Sequence, residues 1–310
     1  SWNGKRPSRY YGPQNWEDGK YVVHSKEVCG PDYYTQFLID FINTSHGKKQ
    51  PFLAYFPMNL IHGPMVTPPG DQTEAEANYP DNLGKKERIN GQMVHHMDKL
   101  VGRLLAKLDS LDIADNTLVI FTGDNGTSKS LKNRLGDFRL RGGKRTMNEA
   151  GTRVPFIARW SGKIPAGKRD AILSLMDVLP TLASVAGIPV EHEIDGMDLS
   201  HNLFDKPGKD REFFEMAFEG GCYFVRDKRF RLHEDGRFYD IPVTGDESRY
   251  SMAEISDLEE NTEHQHLLKK RLAQFMTIKQ TDTNYRVIPF GTGGDEFKNR
   301  QDRKKKDPRK

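Results

Sequence analysis

Apolar residues recur along this chain at two different periods, and the change of period marks its elements. Phe37, Leu38, Phe41 and Ile42 lie three and four apart and predict a helix with one apolar stripe. The run Pro51-Phe-Leu-Ala-Tyr-Phe56 is continuous instead, which predicts a buried strand, and a Pro-rich loop carrying His62 follows it. Met93, Met97, Leu100, Val101, Leu104, Leu105 and Leu108 return to helical spacing and predict a long helix over roughly 85–110. That helix feeds an apolar, β-branched run, Leu118–Phe121, which stops on Gly123-Asp124-Asn125-Gly126. A Gly-, Lys- and Arg-rich loop leads to a strand over 154–160, then to a short helix over 177–186 with Pro180 in its first turn. Strands alternating with helices predict an α/β fold with a mostly parallel central sheet flanked by helices.

Beyond Lys206 the pattern shortens. Tyr223–Arg226, Arg229–Leu232 and Arg237–Ile241 read as short strands joined by Asp-Lys and Asp-Gly turns, and Leu267–Met276 reads as a helix. This predicts a smaller C-terminal antiparallel sheet with one packing helix. The boundaries that follow are 1–205 for the main α/β part, 206–280 for the antiparallel subdomain and 281–310 for an irregular basic tail. Residues 1–32, rich in Gly, Pro, Tyr and charge, read as surface loop.

Composition narrows the function classes. With 310 residues, 35% of them hydrophobic and 10% aromatic, the chain is polar for a globular protein yet able to build a core. A net charge of +3 gives no whole-protein argument for nucleic acid, and the basic cluster Arg303-Lys304-Lys305-Lys306 falls in the tail. No apolar run approaches the length of a membrane span. The two cysteines, Cys29 and Cys222, are far apart and lack metal-ligand spacing.

The candidate chemistry begins at Asp124 and Asn125. Open α/β sheets bind ligands past the carboxyl ends of their strands, where these two side chains stand. Both present hard oxygen donors, which suit Ca²⁺ or Mg²⁺, and Gly126 permits a sharp turn; the alternative is an ordinary Asp-Asn-Gly turn. Lys144 lies in a basic, Gly-rich loop with Arg139 and Arg141, either an anion cradle or a solvated segment. Taken alone, His62 reads as a loop histidine satisfied by backbone. His95 and His96 are neighbours on a helix, point in different directions, and read as structural or surface groups.

Taken in order, the segments Ile61-His62-Gly63-Pro64, Asp124-Asn125-Gly126 and Gly142-Gly143-Lys144…Glu149-Ala-Gly151-Thr-Arg153-Val154-Pro155 resemble the sulfatase family of the alkaline phosphatase superfamily. Met97-Asp98…Gly102, Asp177-Val-Leu-Pro180-Thr181-Leu182, Asp195-Gly196-Met-Asp-Leu199 and Phe238-Tyr239-Asp240-Ile241 extend the resemblance over about residues 32–276. It implies an alkaline phosphatase-like fold and hydrolysis of a sulfate ester on a sulfated small molecule or carbohydrate. It also implies Asp124 and Asn125 as ligands of a divalent cation, usually calcium, with His62 at the sulfate or leaving-group oxygen and Lys144 on the sulfate. Glu149 and Arg153 take a mainly structural role, and the placement implied is periplasmic or secreted.

The family's Cys- or Ser-x-Pro-Ser-Arg segment, source of the formylglycine nucleophile, does not occur in this sequence. Lys5-Arg-Pro-Ser-Arg9 has the tail of that motif with a lysine at the modifiable position. The expectation is therefore a chain covering the later part of a sulfatase, inactive by itself, with the formylglycine in a preceding segment. Two rival readings remain at this point: a phosphodiesterase or phosphonate hydrolase of the same superfamily, and a non-catalytic chain that binds sulfated carbohydrate.

Overall fold

The computed structural model describes residues 8–70, 72–73, 84–135, 138–218, 222–241, 253–254 and 262–281. The expected basic tail lies outside them. The chain divides into two compact units, 1–120 with 158–163 and 121–157 with 164–310.

The first unit opens on an antiparallel hairpin, β1 (Gln14–Glu17) and β2 (Lys20–Val23). This corrects the expectation of a loop over 1–32. Asp18 and Gly19 form the turn with φ of 47° and 78°, the left-handed pair a tight hairpin turn demands, and Trp16 faces Tyr21 across it with ring centroids 5.7 Å apart. The Asp-Gly signal was present in the sequence, but no alternation of apolar and polar residues surrounds it.

Helix α1 (Gly30–Gly47) begins with Pro31 near its N-terminus, where a missing N–H costs nothing. Its buried face is Thr35, Ile39, Ile42 and Ser45; Phe37 and Phe41 stay exposed, so the inward stripe is rotated from the expected one. Helix α2 (Lys85–Ser110) has the expected extent, with Met93, Leu100 and Leu108 on its buried side. Met93 and Leu100 join Tyr10 and Leu60 in one core cluster. The segment 51–56 does not form the expected strand: Leu53 and Tyr55 are 78% and 88% exposed, and no described strand pairs with it. A β-prone sequence has no ladder to join without a neighbour.

Strands β3 (Val119–Thr122) and β6 (Phe156–Arg159) pair with each other, and this pair is the part of the central sheet that the described residues contain. Between them the expected loop is interrupted by a second hairpin, β4 (Lys132–Leu135) and β5 (Phe138–Arg141), and by the short helix α3 (Glu149–Thr152).

Helix α4 (Val178–Ala186) follows a 3₁₀ turn and ends on Gly187 at φ 69°, a left-handed cap. Asp177 just ahead of it is fully buried, accepts the backbone N–H groups of Ser174 and Met197 at 2.8 Å each, and pairs with Arg211. One carboxylate thus ties together the Asp177–Leu182 and Asp195–Leu199 segments, with the short helix α5 (Ser200–Leu203) following the second.

The C-terminal part forms the expected antiparallel sheet with one packing helix. Strands β7 (Phe214–Phe218), β8 (Cys222–Arg226), β9 (Phe230–His233), β10 (Phe238–Asp240) and β11 (Ala253–Glu254) lie in the order β11-β10-β9-β8-β7, every pair antiparallel. Val225, Phe230, Leu232 and Phe238 of the sheet bury themselves against Leu268 and Leu272 of helix α6 (Thr262–Thr281).

His233 is buried on β9 between Phe224 and Tyr239, and neither ring nitrogen has a hydrogen-bond partner among the described residues. Burial, then the charges of Arg231 and Arg237, pull its pKa down to about 4, with Asp235 opposing. Because the unfolded chain takes up this proton first, stability is full above about pH 6.5 and falls as the pH drops toward 4. The expected loss across that window is about 3 kcal/mol, read from urea unfolding at several pH values. His233→Phe is expected to flatten the dependence; an unchanged slope would assign it to another group.

Candidate active site

His62 lies in the first unit; Asp124, Asn125 and Lys144 lie in the second. The His62 loop is held against buried Tyr10, whose hydroxyl donates to the carbonyls of Asn59, at 2.9 Å, and of His62 itself. Burial pushes that phenol up to about 12, so it remains a donor at any physiological pH. Asn59 returns a hydrogen bond to the Arg9 carbonyl at 2.6 Å. The His62 imidazole is exposed, with Nδ1 2.8 Å from the Gly63 carbonyl and 3.2 Å from Arg9 Nη1. These contacts are alternatives: a protonated Nδ1 donates to Gly63, a bare one accepts from Arg9, and the first tautomer leaves Nε2 with a lone pair.

Asp124 and Asn125 stand exposed just past the end of β3, where the sequence placed them. Asn125 Nδ2 donates to the Gly126 carbonyl at 3.1 Å, which leaves its Oδ1 as a donor atom for a cation. The pair fits a hard divalent ion as two oxygen ligands out of the roughly six to eight that calcium takes.

The Lys144 loop is locked to this one through the backbone. Lys144 N–H donates to Thr127 O at 2.8 Å, and Gly126 N–H donates to Gly151 O at 3.1 Å. The approach is so close that a Cβ on Gly126 would run into the Ala150 carbonyl, and one on Gly142 would run into the Ser128 carbonyl. Glycine at these positions is thus a condition of contact between the loops.

A buried charge cluster anchors the same loop. Glu149 is fully buried and receives Arg226 at 2.9 and 3.1 Å, Arg153 at 3.4 Å, and Arg231. Arg231 also donates to the Met147 carbonyl, and its guanidinium lies 4.1 Å from the Phe224 ring centroid. Burial lowers the Arg231 pKa to about 10, which leaves it charged at neutral pH. Arg226 and Arg231 are direct cross-strand partners, an arrangement of like charges that costs stability unless an anion lies between them. Glu149 is that anion. Its structural role was expected; its pairing with Arg226 and Arg231 was not, and the sequence signal for that is the placement of two cations opposite each other on paired strands.

Comparison with known proteins decides the family. The sulfatase family model matches residues 4–188, more than half of the chain. The chain belongs to the sulfatase family. It is 36% identical over 187 residues to N-acetylgalactosamine-6-sulfatase of Mus musculus, a match covering 58% of this chain and 34% of the relative. With arylsulfatase A of Homo sapiens it shares 31% identity over 207 residues, 64% of this chain and 39% of that protein. The chain therefore spans about a third of the length of the curated relatives it matches. The crystal structure of the PsFucS1 sulfatase from Pseudoalteromonas sp. superposes on 86% of this chain and 57% of its own with a TM-score of 0.63 at 21% identity, which supports the α/β fold expected for the family. No helix among the described residues is long and apolar enough to cross a membrane.

Proposed function

We propose that this sulfatase-family protein hydrolyses a sulfate ester on a sulfated carbohydrate and that Asp124, Asn125, Lys144 and His62 serve that reaction. The observation that carries the reading is the lock between the two loops: Lys144 N–H on Thr127 O holds an ammonium-bearing residue in fixed register with a pair of hard oxygen ligands. Asp124 and Asn125 would hold a divalent cation, calcium in preference to magnesium, whose bound charge offsets that of the sulfate oxygens. Lys144 adds a second positive charge for the same anion without occupying a ligand position. His62, in the tautomer whose bare Nδ1 accepts from Arg9, would present Nε2–H to the leaving-group oxygen and supply its proton. The nucleophile is taken to be a formylglycine supplied outside the residues present here. The sugar class rests on the names of the relatives, among which N-acetylgalactosamine-6-sulfatase recurs. Secreted or periplasmic placement is part of the same proposal.

Lys144→Ala provides the test. In the product of the complete reading frame it is expected to lower aryl sulfate hydrolysis by roughly a hundred- to a thousandfold, as loss of one electrostatic stabiliser does, with bound metal unchanged. Wild-type turnover would reduce Lys144 to a solvated loop residue. The same preparation assayed on an aryl phosphate is expected to be much the slower; a preference for phosphate would favour the phosphodiesterase reading.

A further inference from the structure

Cys29, Asp32 and His96 are far apart in sequence and take no part in the chemistry above, yet they converge. Their ligand atoms all lie within 4.8 Å of one another. Cys29 is the residue immediately before α1, Asp32 lies in the first turn of that helix, and His96 comes from α2. The backbone around the thiol is well fixed: Tyr11 and Cys29 form a β-bridge, Gly12 N–H donates to Val28 O at 3.0 Å, and Tyr33 N–H donates to Cys29 O at 3.0 Å. Cys29 is 9% exposed and the His96 side chain 12%, whereas Asp32 at 35% leaves an opening to solvent.

From this convergence we propose that Cys29, Asp32 and His96 form a zinc site with one coordination position open to solvent, separate from the Asp124–Asn125 pair.

The donor set argues for the ion. One sulfur, one imidazole nitrogen and one carboxylate oxygen is a borderline-soft combination that suits Zn²⁺ and is wrong for Ca²⁺ or Mg²⁺, which select oxygen. Without metal the three groups share protons: His96 Nε2 lies 2.7 Å from Asp32 Oδ2, and the thiol donates to the same carboxylate. Burial and that hydrogen bond push the thiol up to about 12, so it stays protonated until a cation takes the proton's place. On binding, the thiol proton leaves to solvent and a neutral His96 carries its proton on Nδ1, freeing Nε2 to bind. Thiolate plus carboxylate then balance a 2+ ion. Arg103 faces the site as well, 3.5 Å from Asp32 Oδ1, the carboxylate oxygen that His96 does not use, so Oδ2 remains for the metal. Tetrahedral zinc needs ligand atoms roughly 3.3–3.8 Å apart, and the three lie within 4.8 Å of one another.

The 310-residue chain is to be dialysed against micromolar Zn²⁺ in excess Ca²⁺, and in parallel against Co²⁺ as a spectroscopic stand-in. One zinc per chain and a near-ultraviolet cobalt–thiolate charge-transfer band are expected, in the wild type and equally in Cys222→Ser. Cys29→Ser and His96→Gln are expected to weaken binding by more than about 100-fold, beyond the usual cost of disturbing an outer-shell partner. Circular dichroism confirms that the variants retain their helices. Failure to retain zinc, a cobalt spectrum without the thiolate band, or binding that survives both substitutions would each overturn the site and leave His96–Asp32 as an ordinary ion pair.

Discussion

Asp124→Ala is expected to empty the proposed divalent-cation site and, with it, to remove the proposed sulfate-ester hydrolysis almost completely. Asp124 is the anionic member of the Asp124–Asn125 pair, and it stands exposed past β3, so alanine removes a ligand without opening a cavity. A Lewis-acid cation is worth several kcal/mol of charge stabilisation, which corresponds to a fall of about a thousandfold or more. The measurement pairs turnover of an aryl sulfate with metal content by mass spectrometry on the product of the complete reading frame. Loss of both is expected, in contrast to Lys144→Ala, where the metal stays. Full calcium occupancy with undiminished turnover would sink the assignment of Asp124 as a ligand.

Glu149→Gln should cost stability on a comparable scale. The substitution keeps the shape of the side chain and removes the carboxylate that pairs with Arg226 and Arg231, which are 15% and 1% exposed. Removing one partner of a buried ion pair costs about 3–5 kcal/mol, because the remaining charge is left uncompensated. At roughly 2–4 °C per kcal/mol for a chain of this size, the melting temperature should fall by about 10 °C, measured by differential scanning fluorimetry. A change of 1 °C or less would show that water already neutralises the guanidinium pair. Since Arg231 also holds the Met147 carbonyl, lower thermal stability should come with greater protease sensitivity around residues 144–149.

The sequence was most legible where local pattern and burial agree. Helix α2 follows its Met and Leu spacing, and the strands β8 to β10 follow their turn residues, because these signals lie within each element and its adjoining turns. It was least legible where the decisive contact is distant. The Glu149 cluster joins residues 77 and 82 positions apart, and the Cys29–Asp32–His96 group joins the start of one helix to the middle of another. No spacing rule reaches such pairs. The β1–β2 hairpin escaped for a different reason: Trp16, Tyr21 and Val23 are exposed, so no buried face imposes alternation. The segment 51–56 misled in the opposite sense, its apolar run announcing a strand without a described partner. Asp124 and Asn125 were singled out by the end of a β-branched run and, with His62 and Lys144, given their proposed roles by resemblance to family segments; their backbone setting, above all the Thr127 and Gly151 carbonyls, came only with the fold.

The hairpin β4–β5 leaves and re-enters the polypeptide between two loops that cannot move apart, its base closed by Gly142 N–H on Leu131 O at 3.0 Å. Lengthening a segment whose ends are already pinned together costs only slowly growing closure entropy. For protein engineering this makes the connection between β4 and β5 a graft port: foreign sequence inserted between the two strands would leave the spacing of Asp124 and Lys144 untouched, whereas one extra residue inside 124–128 or 142–151 would break it.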